Sequence, residues 1–182
     1  MMANRSSKTK ELVLCAVFSA LSVLILFLGS VIDVLDLTAA MLASILCAAV
    51  LIEVGKFWPW LTYATAAILS VLLLPNKLPA LIYVLTGYYP IVKQKIERLN
   101  KILTWAIKIV LFNALMTLFL LLCSSFFPGV DLVLFAGLSP LLNTVIAYAA
   151  GNAVFVLYDI ALSRLVTYYI FVLRDRLRIG KR

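Results

Sequence analysis

Apolar residues fill this chain in long runs, and polar residues fall between the runs instead of along one face of them. Crossing ~30 Å of hydrocarbon takes roughly 20 apolar residues in an α-helix, so runs of this kind read as membrane spans. Six runs are marked off by what interrupts them. The first, residues 12–32, is closed by Asp33 and Asp36, and the second, 37–54, by Glu53, Gly55 and Lys56. The third, 57–74, stops at Pro75-Asn76-Lys77-Leu78-Pro79, whose prolines cannot continue a helix. The fourth, 79–92, is short and carries Gly87 and Pro90, which predicts a kinked or sunken helix whose backbone is satisfied by neighbouring protein. The fifth, 102–127, ends at Pro128-Gly129, and the sixth covers 140–164. Residues 132–139 read as an outer loop with a short interfacial turn. Residues 165–173 prolong the last helix to the interface, where Tyr168 and Tyr169 suit an aromatic belt. The pattern predicts an all-α membrane protein, a single domain over residues 1–182 with six transmembrane helices.

Composition strengthens this reading. Hydrophobic residues make up 65% of the 182-residue chain and charged residues 13%, against about 45–50% and about 25% in a soluble domain. Too few polar side chains remain to cover a water-facing surface. The basic first ten residues ahead of an apolar run look like a signal peptide. That run is 21 residues long, beyond the ~7–15 of a signal core, so a retained first helix is expected.

The charge excess of +8, from 16 Lys and Arg against 8 Asp and Glu, is explained by topology. With the N-terminus inside, the inner segments hold Arg5, Lys8, Lys10, Lys56, Lys93, Lys95, Arg98, Lys101, Arg164 and the basic tail. The outer loops hold Lys77 with Asp33, Asp36 and Asp131. Cytoplasmic loops collect Lys and Arg, so both termini are expected in the cytoplasm of a multi-pass protein of a bacterial cell membrane, with the lipid bilayer and not nucleic acid as its partner. The chain has no histidine, which removes His-ligated metals, Ser-His-Asp hydrolysis and HExxH chemistry. Cys15, Cys47 and Cys123 stand singly inside apolar runs, as small buried hydrophobes do.

Polar groups inside spans are the natural candidates for function, because a charge at mid-bilayer is costly unless paired or hydrated. Asn113 and Asn152 lie near the middles of the fifth and sixth segments, and either contact a ligand or hydrogen-bond helix to helix. Lys108 and Asp159 lie at matching depths, which predicts a structural ion pair near the inner face. The alternative is a snorkelling Lys108, with Asp159 held by Arg164 or backbone. On the outer side, Asp33, Asp36, Lys77, Tyr83, Asn143 and Tyr148 supply polar groups and aromatic walls for a solute, or are simply solvated and packed. Ala16 and Ala20 form a small-xxx-small step with Ser19 beside them, and the second segment adds Ala39, Ala40, Ala43, Ala48 and Ala49. Such faces let helices approach closely, within the bundle or toward a partner. No GxSG, DG…AR…D or GxxxxGK[ST] pattern is present, and Asp33 and Asp159 fall at opposite faces. Catalytic residues, metals and cofactors are therefore not expected.

In its whole-chain plan the sequence resembles the substrate-binding S components of energy-coupling factor (ECF) vitamin transporters. The likeness lies in chain size, a basic N-terminus, six helices with both ends inside and the Ala16–Ala20 step. It extends to the stretch Gly151-Asn152-Ala153-Val154-Phe155 through Tyr158-Asp159 to the basic tail. The resemblance implies a protein that captures a vitamin-like small solute from outside, in a pocket of the fourth to sixth helices. It implies docking of the alanine face of the first helix on a transmembrane coupling subunit, with two cytoplasmic ATPases supplying the energy. The rival reading is a non-transporting membrane scaffold resembling a rod-shape-determining protein, whose small-residue helices hold permanent partners. A hydrated pocket lined by Tyr83, Asn113, Asn143 and Asn152 favours transport, and a packed, dry core favours the scaffold.

Overall fold

A computed structural model describes residues 2–55, 57–126 and 139–173. The described residues are helical with short connections and contain no strand. In chain order the helices are α1 (Met2–Val31), α2 (Asp36–Glu53), α3 (Trp58–Leu73), α4 (Leu78–Thr86), α5 (Tyr89–Ile96), α6 (Lys101–Phe126) and α7 (Pro140–Tyr168), the last continued by a π-helical segment, Tyr169–Leu173. Among the described residues, four helical stretches are long and apolar enough to cross a membrane: Lys8–Val31, Asp36–Glu53, Lys101–Leu121 and Leu141–Phe171. Helix α3, with 16 residues, is about 24 Å long at 1.5 Å per residue.

Local chemistry sets the ends of these elements. Helix α1 runs back beyond the apolar run through Lys8 and Lys10, since lysine is a good helix former. A 3-10 turn, Asp33–Leu35, leads into α2, whose first turn carries Asp36 where a carboxylate favours the positive end of the helix. Helix α2 stops at Gly55, which takes φ +67°. This left-handed conformation suits glycine, and its N–H, like that of Val54, bonds back to Val50 O. Helices α3 and α4 both open with proline at the first or second position, where the missing N–H has no cost. Between them Lys77 Nζ donates to Val71 O at 2.8 Å and Leu74 O at 2.6 Å, closing the end of α3.

The expected single short helix over 79–92 is instead two helices, α4 and α5, broken at Gly87-Tyr88. Pro90, the second residue of α5, has no N–H to give to Thr86 O, so the ladder lapses there. A Cβ on Gly87 would sit 2.7 Å from Tyr83 O, so only glycine fits that position without a shift. The outer loop expected at 132–139, Asp131, Lys56 and the tail from 174 onward lie outside the described residues, apart from Ser139.

The described residues form two compact units, one drawn from the ranges 1–95 and 162–182 and the other from 96–161. In the first, a core of Leu26, Ala40, Ala43, Ala66, Ala67, Leu74, Ala80 and Tyr83 joins α1 to α4. The alanines allow close approach, and buried hydroxyls are satisfied within their own helices, Ser22 to Phe18 O, Ser44 to Met41 O and Ser70 to Ala67 O. The second unit comprises α6 and most of α7.

Candidate functional site

The second unit carries a ladder of polar and aromatic pairs between α6 and α7. In sequence order along α6 the pairs are Lys108 with Asp159, Phe112 with Phe155, Asn113 with Asn152, and Thr117 with Tyr148. Positions three and four apart share a helix face, so 108, 112 and 113, 117 on one helix meet 159, 155, 152 and 148 on the other in antiparallel order.

Asn113 and Asn152 bond to each other reciprocally. Asn113 Nδ2 donates to Asn152 Oδ1 at 3.2 Å, and Asn152 Nδ2 donates to Asn113 Oδ1 at 3.1 Å. Each amide also donates one turn back along its own helix, to Ile109 O and to Tyr148 O. Both N–H groups of each amide are thereby used, while each carbonyl oxygen keeps acceptor capacity. A ligand that accepts from these amides would have to replace one of these bonds, whereas a donor could still reach either carbonyl oxygen. One turn along, Thr117 Oγ1 and Tyr148 OH lie 2.8 Å apart. In the other direction the rings of Phe112 and Phe155 stack, with centroids 4.6 Å apart and planes at 17°. Gly151 makes room for them, because a Cβ there would already stand 3.4 Å from Phe112 Cζ.

Below the stack, Lys108 Nζ lies 2.9 Å from Asp159 Oδ2 and 3.1 Å from Asp159 Oδ1. It also contacts Glu97 Oε1 at 2.9 Å and stands 5.5 Å from the centre of the Trp105 ring. Lys108 and Asp159 are buried, so the charges compensate each other where water is scarce.

The other expected positions are dispersed. Asp36 accepts from Asn76 Nδ2 at 3.4 Å, and Asn76 Oδ1 in turn accepts the N–H of Leu78 at the start of α4. Lys77 closes α3, and Asp33 belongs to the 3-10 turn, with its side chain outside the description. Tyr83 is fully buried in the core of the first unit, and Asn143 is buried near the start of α7. On α1, Cys15, Ser19, Ser22 and Leu26 face the core, whereas Ala16 and Ala20 are exposed.

Sequence reasoning passed over Glu97, Thr117 and the Phe112–Phe155 stack. It also passed over two contacts in the first unit, Lys93 Nζ to Ser163 Oγ at 2.6 Å and Tyr169 OH to Glu53 Oε1 at 3.0 Å. Counting register outward from Lys108–Asp159 would have found the stack and Thr117, because the residue numbers of each pair sum nearly to a constant. Nothing in the sequence separates Glu97 from an ordinary solvated carboxylate. Among the described residues no group of three or more His, Cys, Asp or Glu could hold a metal. No known protein family, curated protein or solved structure matches the chain.

Proposed function

We propose that this protein is the membrane-embedded substrate-binding subunit of an ECF-type uptake transporter in a bacterial cell membrane, with six crossings and both termini in the cytoplasm. On this reading it captures a vitamin-like small solute outside and delivers it with a transmembrane coupling subunit and two cytoplasmic ATPases. The observation that supports it is the outward orientation of Ala16 and Ala20. Small side chains in a bundle interior let neighbouring helices close up, and the alanines of α2 at 39, 40, 43 and 48 do that. Ala16 and Ala20 do not. They leave a shallow face on α1 flanked by exposed Val13, Val17, Leu21 and Leu24, of the kind against which another membrane helix packs.

The expected outcome is that Ala16→Trp or Ala20→Trp abolishes both co-purification with the coupling subunit and solute uptake, while solute binding to the isolated subunit persists. Unchanged co-purification with both substitutions in place removes the docking role.

The reciprocal bonding of Asn113 and Asn152 favours a second reading, the non-transporting scaffold, because amides that join helices have this geometry. Native mass spectrometry of protein extracted gently from its own membranes separates the two. A stoichiometric small molecule supports the transport subunit, and lipid alone or bound cell-envelope proteins support the scaffold.

A further inference from the structure

We propose that the turn joining α5 to α6 is held by a releasable latch, in which Glu97 shares the Lys108 ammonium with Asp159. An ammonium has three donors, and Lys108 Nζ has three carboxylate oxygens within reach: Glu97 Oε1 at 2.9 Å, Asp159 Oδ1 at 3.1 Å and Asp159 Oδ2 at 2.9 Å. The two carboxylates sit in unlike surroundings. The side chain of Asp159 is 5% exposed and that of Glu97 is 44% exposed. A buried pair is separated only at large cost, whereas a half-exposed pair exchanges with water and weakens in salt. Asp159 therefore keeps Lys108 in every state, and Glu97 is the member that lets go.

Charge points the same way. With the latch closed, both carboxylates draw on the Lys108 ammonium. With Glu97 released into water, a neutral Lys108–Asp159 pair stays behind in the apolar surroundings, which tolerate it better than a net charge. The latch sits at a consequential place in the chain. Lys95 is the last residue of the first compact unit before Ile96 opens the second, and Glu97 follows directly. Uncharged bonds also tie this turn to α6: Thr104 Oγ1 donates to Ile96 O at 3.1 Å and to Leu99 O at 3.4 Å, and Thr104 N donates to Asn100 O. Glu97 thus adds a charge-dependent restraint to this turn, and its release loosens the turn without opening the α6–α7 seam. This inference does not depend on the transport reading.

Hydrogen–deuterium exchange of the full chain in lipid nanodiscs tests it, read in peptides covering 97–104 and 155–163. In the wild type, raising KCl from about 50 mM to about 1 M should speed exchange in 97–104 about threefold or more and leave 155–163 unchanged, because salt screens only the exposed pair. Glu97→Gln should exchange fast in 97–104 at both salt concentrations. Thr104→Ala, which loosens the turn without touching a charge, should raise exchange yet keep the salt response. Salt-insensitive wild-type exchange in 97–104, Glu97→Gln behaving as wild type, or both segments moving together would each overturn the latch.

Discussion

Removing one member of the Lys108–Asp159 pair takes a counter-charge from the other in an apolar setting, and the two members are not equivalent. If Asp159 is lost, Lys108 still has Glu97 at 2.9 Å. If Lys108 is lost, Asp159 stays buried and loses the ammonium that stood 2.9 Å from its Oδ2. Breaking a buried pair from one side costs roughly 3–5 kcal/mol, whereas replacing both members by apolar residues is close to neutral. Lys108→Met should therefore destabilise most, Asp159→Leu less, and the double variant least, as read by detergent-induced unfolding followed by circular dichroism. Equal losses in all three would mean that the pair is not energetically coupled. At this scale legibility follows burial. Lys108 and Asp159 could be matched from sequence because a charge deep in an apolar run needs a partner and helix depth can be counted. The reciprocal bonding of Asn113 and Asn152 could only be left as one of two choices, since an amide in a span serves a ligand and a neighbouring helix equally well.

Between elements, close packing is controlled at Gly29, which faces Ala39 where α1 and α2 approach after the 3-10 turn. A Cβ on Gly29 would overlap Ala39 Cβ and come within 3.5 Å of Leu35 O. Forcing a methyl group into a packed seam costs about 1–3 kcal/mol, so Gly29→Ala should lower the thermal midpoint by about 3–10 °C. Adding Ala39→Gly removes the colliding atom, and the double variant should recover part of the loss, because glycine in a helix interior costs up to ~1 kcal/mol. Thermal denaturation in detergent checks both values, and a double variant less stable than Gly29→Ala would show that the seam is not the cause. The long helices were readable from sequence because apolar length is itself the signal, and prolines with Gly55 mark their ends. The break inside 79–92 was visible only as a kink. Gly87 and Pro90 announce an interruption, but not that the segment divides at Gly87-Tyr88 into α4 and α5, each ending or starting where Pro90 has no N–H to give Thr86 O.

At the scale of the whole molecule, the crossing number turns on α4 and α5. They have nine and eight residues, or about 13 Å and about 12 Å at 1.5 Å per residue, together short of the ~30 Å of hydrocarbon. A pair this short crosses only if its break is sheltered by protein, because an unsatisfied backbone facing lipid is not tolerated. The burial of Pro79, Ala80, Tyr83 and Leu85 supplies that shelter for α4, and Lys93 and Lys95 give α5 the basic end that a cytoplasmic boundary collects. With six crossings, residues 10 and 101 face one side and residue 77 the other. If α4 and α5 dip in and return, residue 101 joins residue 77 and the total becomes five. Lys10→Cys, Lys77→Cys and Lys101→Cys, each alone in a chain whose Cys15, Cys47 and Cys123 are replaced by alanine, decide this with a membrane-impermeant maleimide applied to intact cells and then to inverted vesicles. Intact cells should label only the position 77 variant, and inverted vesicles only the variants at 10 and 101, all three positions being exposed. Labelling of positions 77 and 101 from the same side would make α4–α5 a re-entrant hairpin. It would also place the Glu97–Lys108–Asp159 cluster at the outer face, where a positive-inside reading of the basic turn fails.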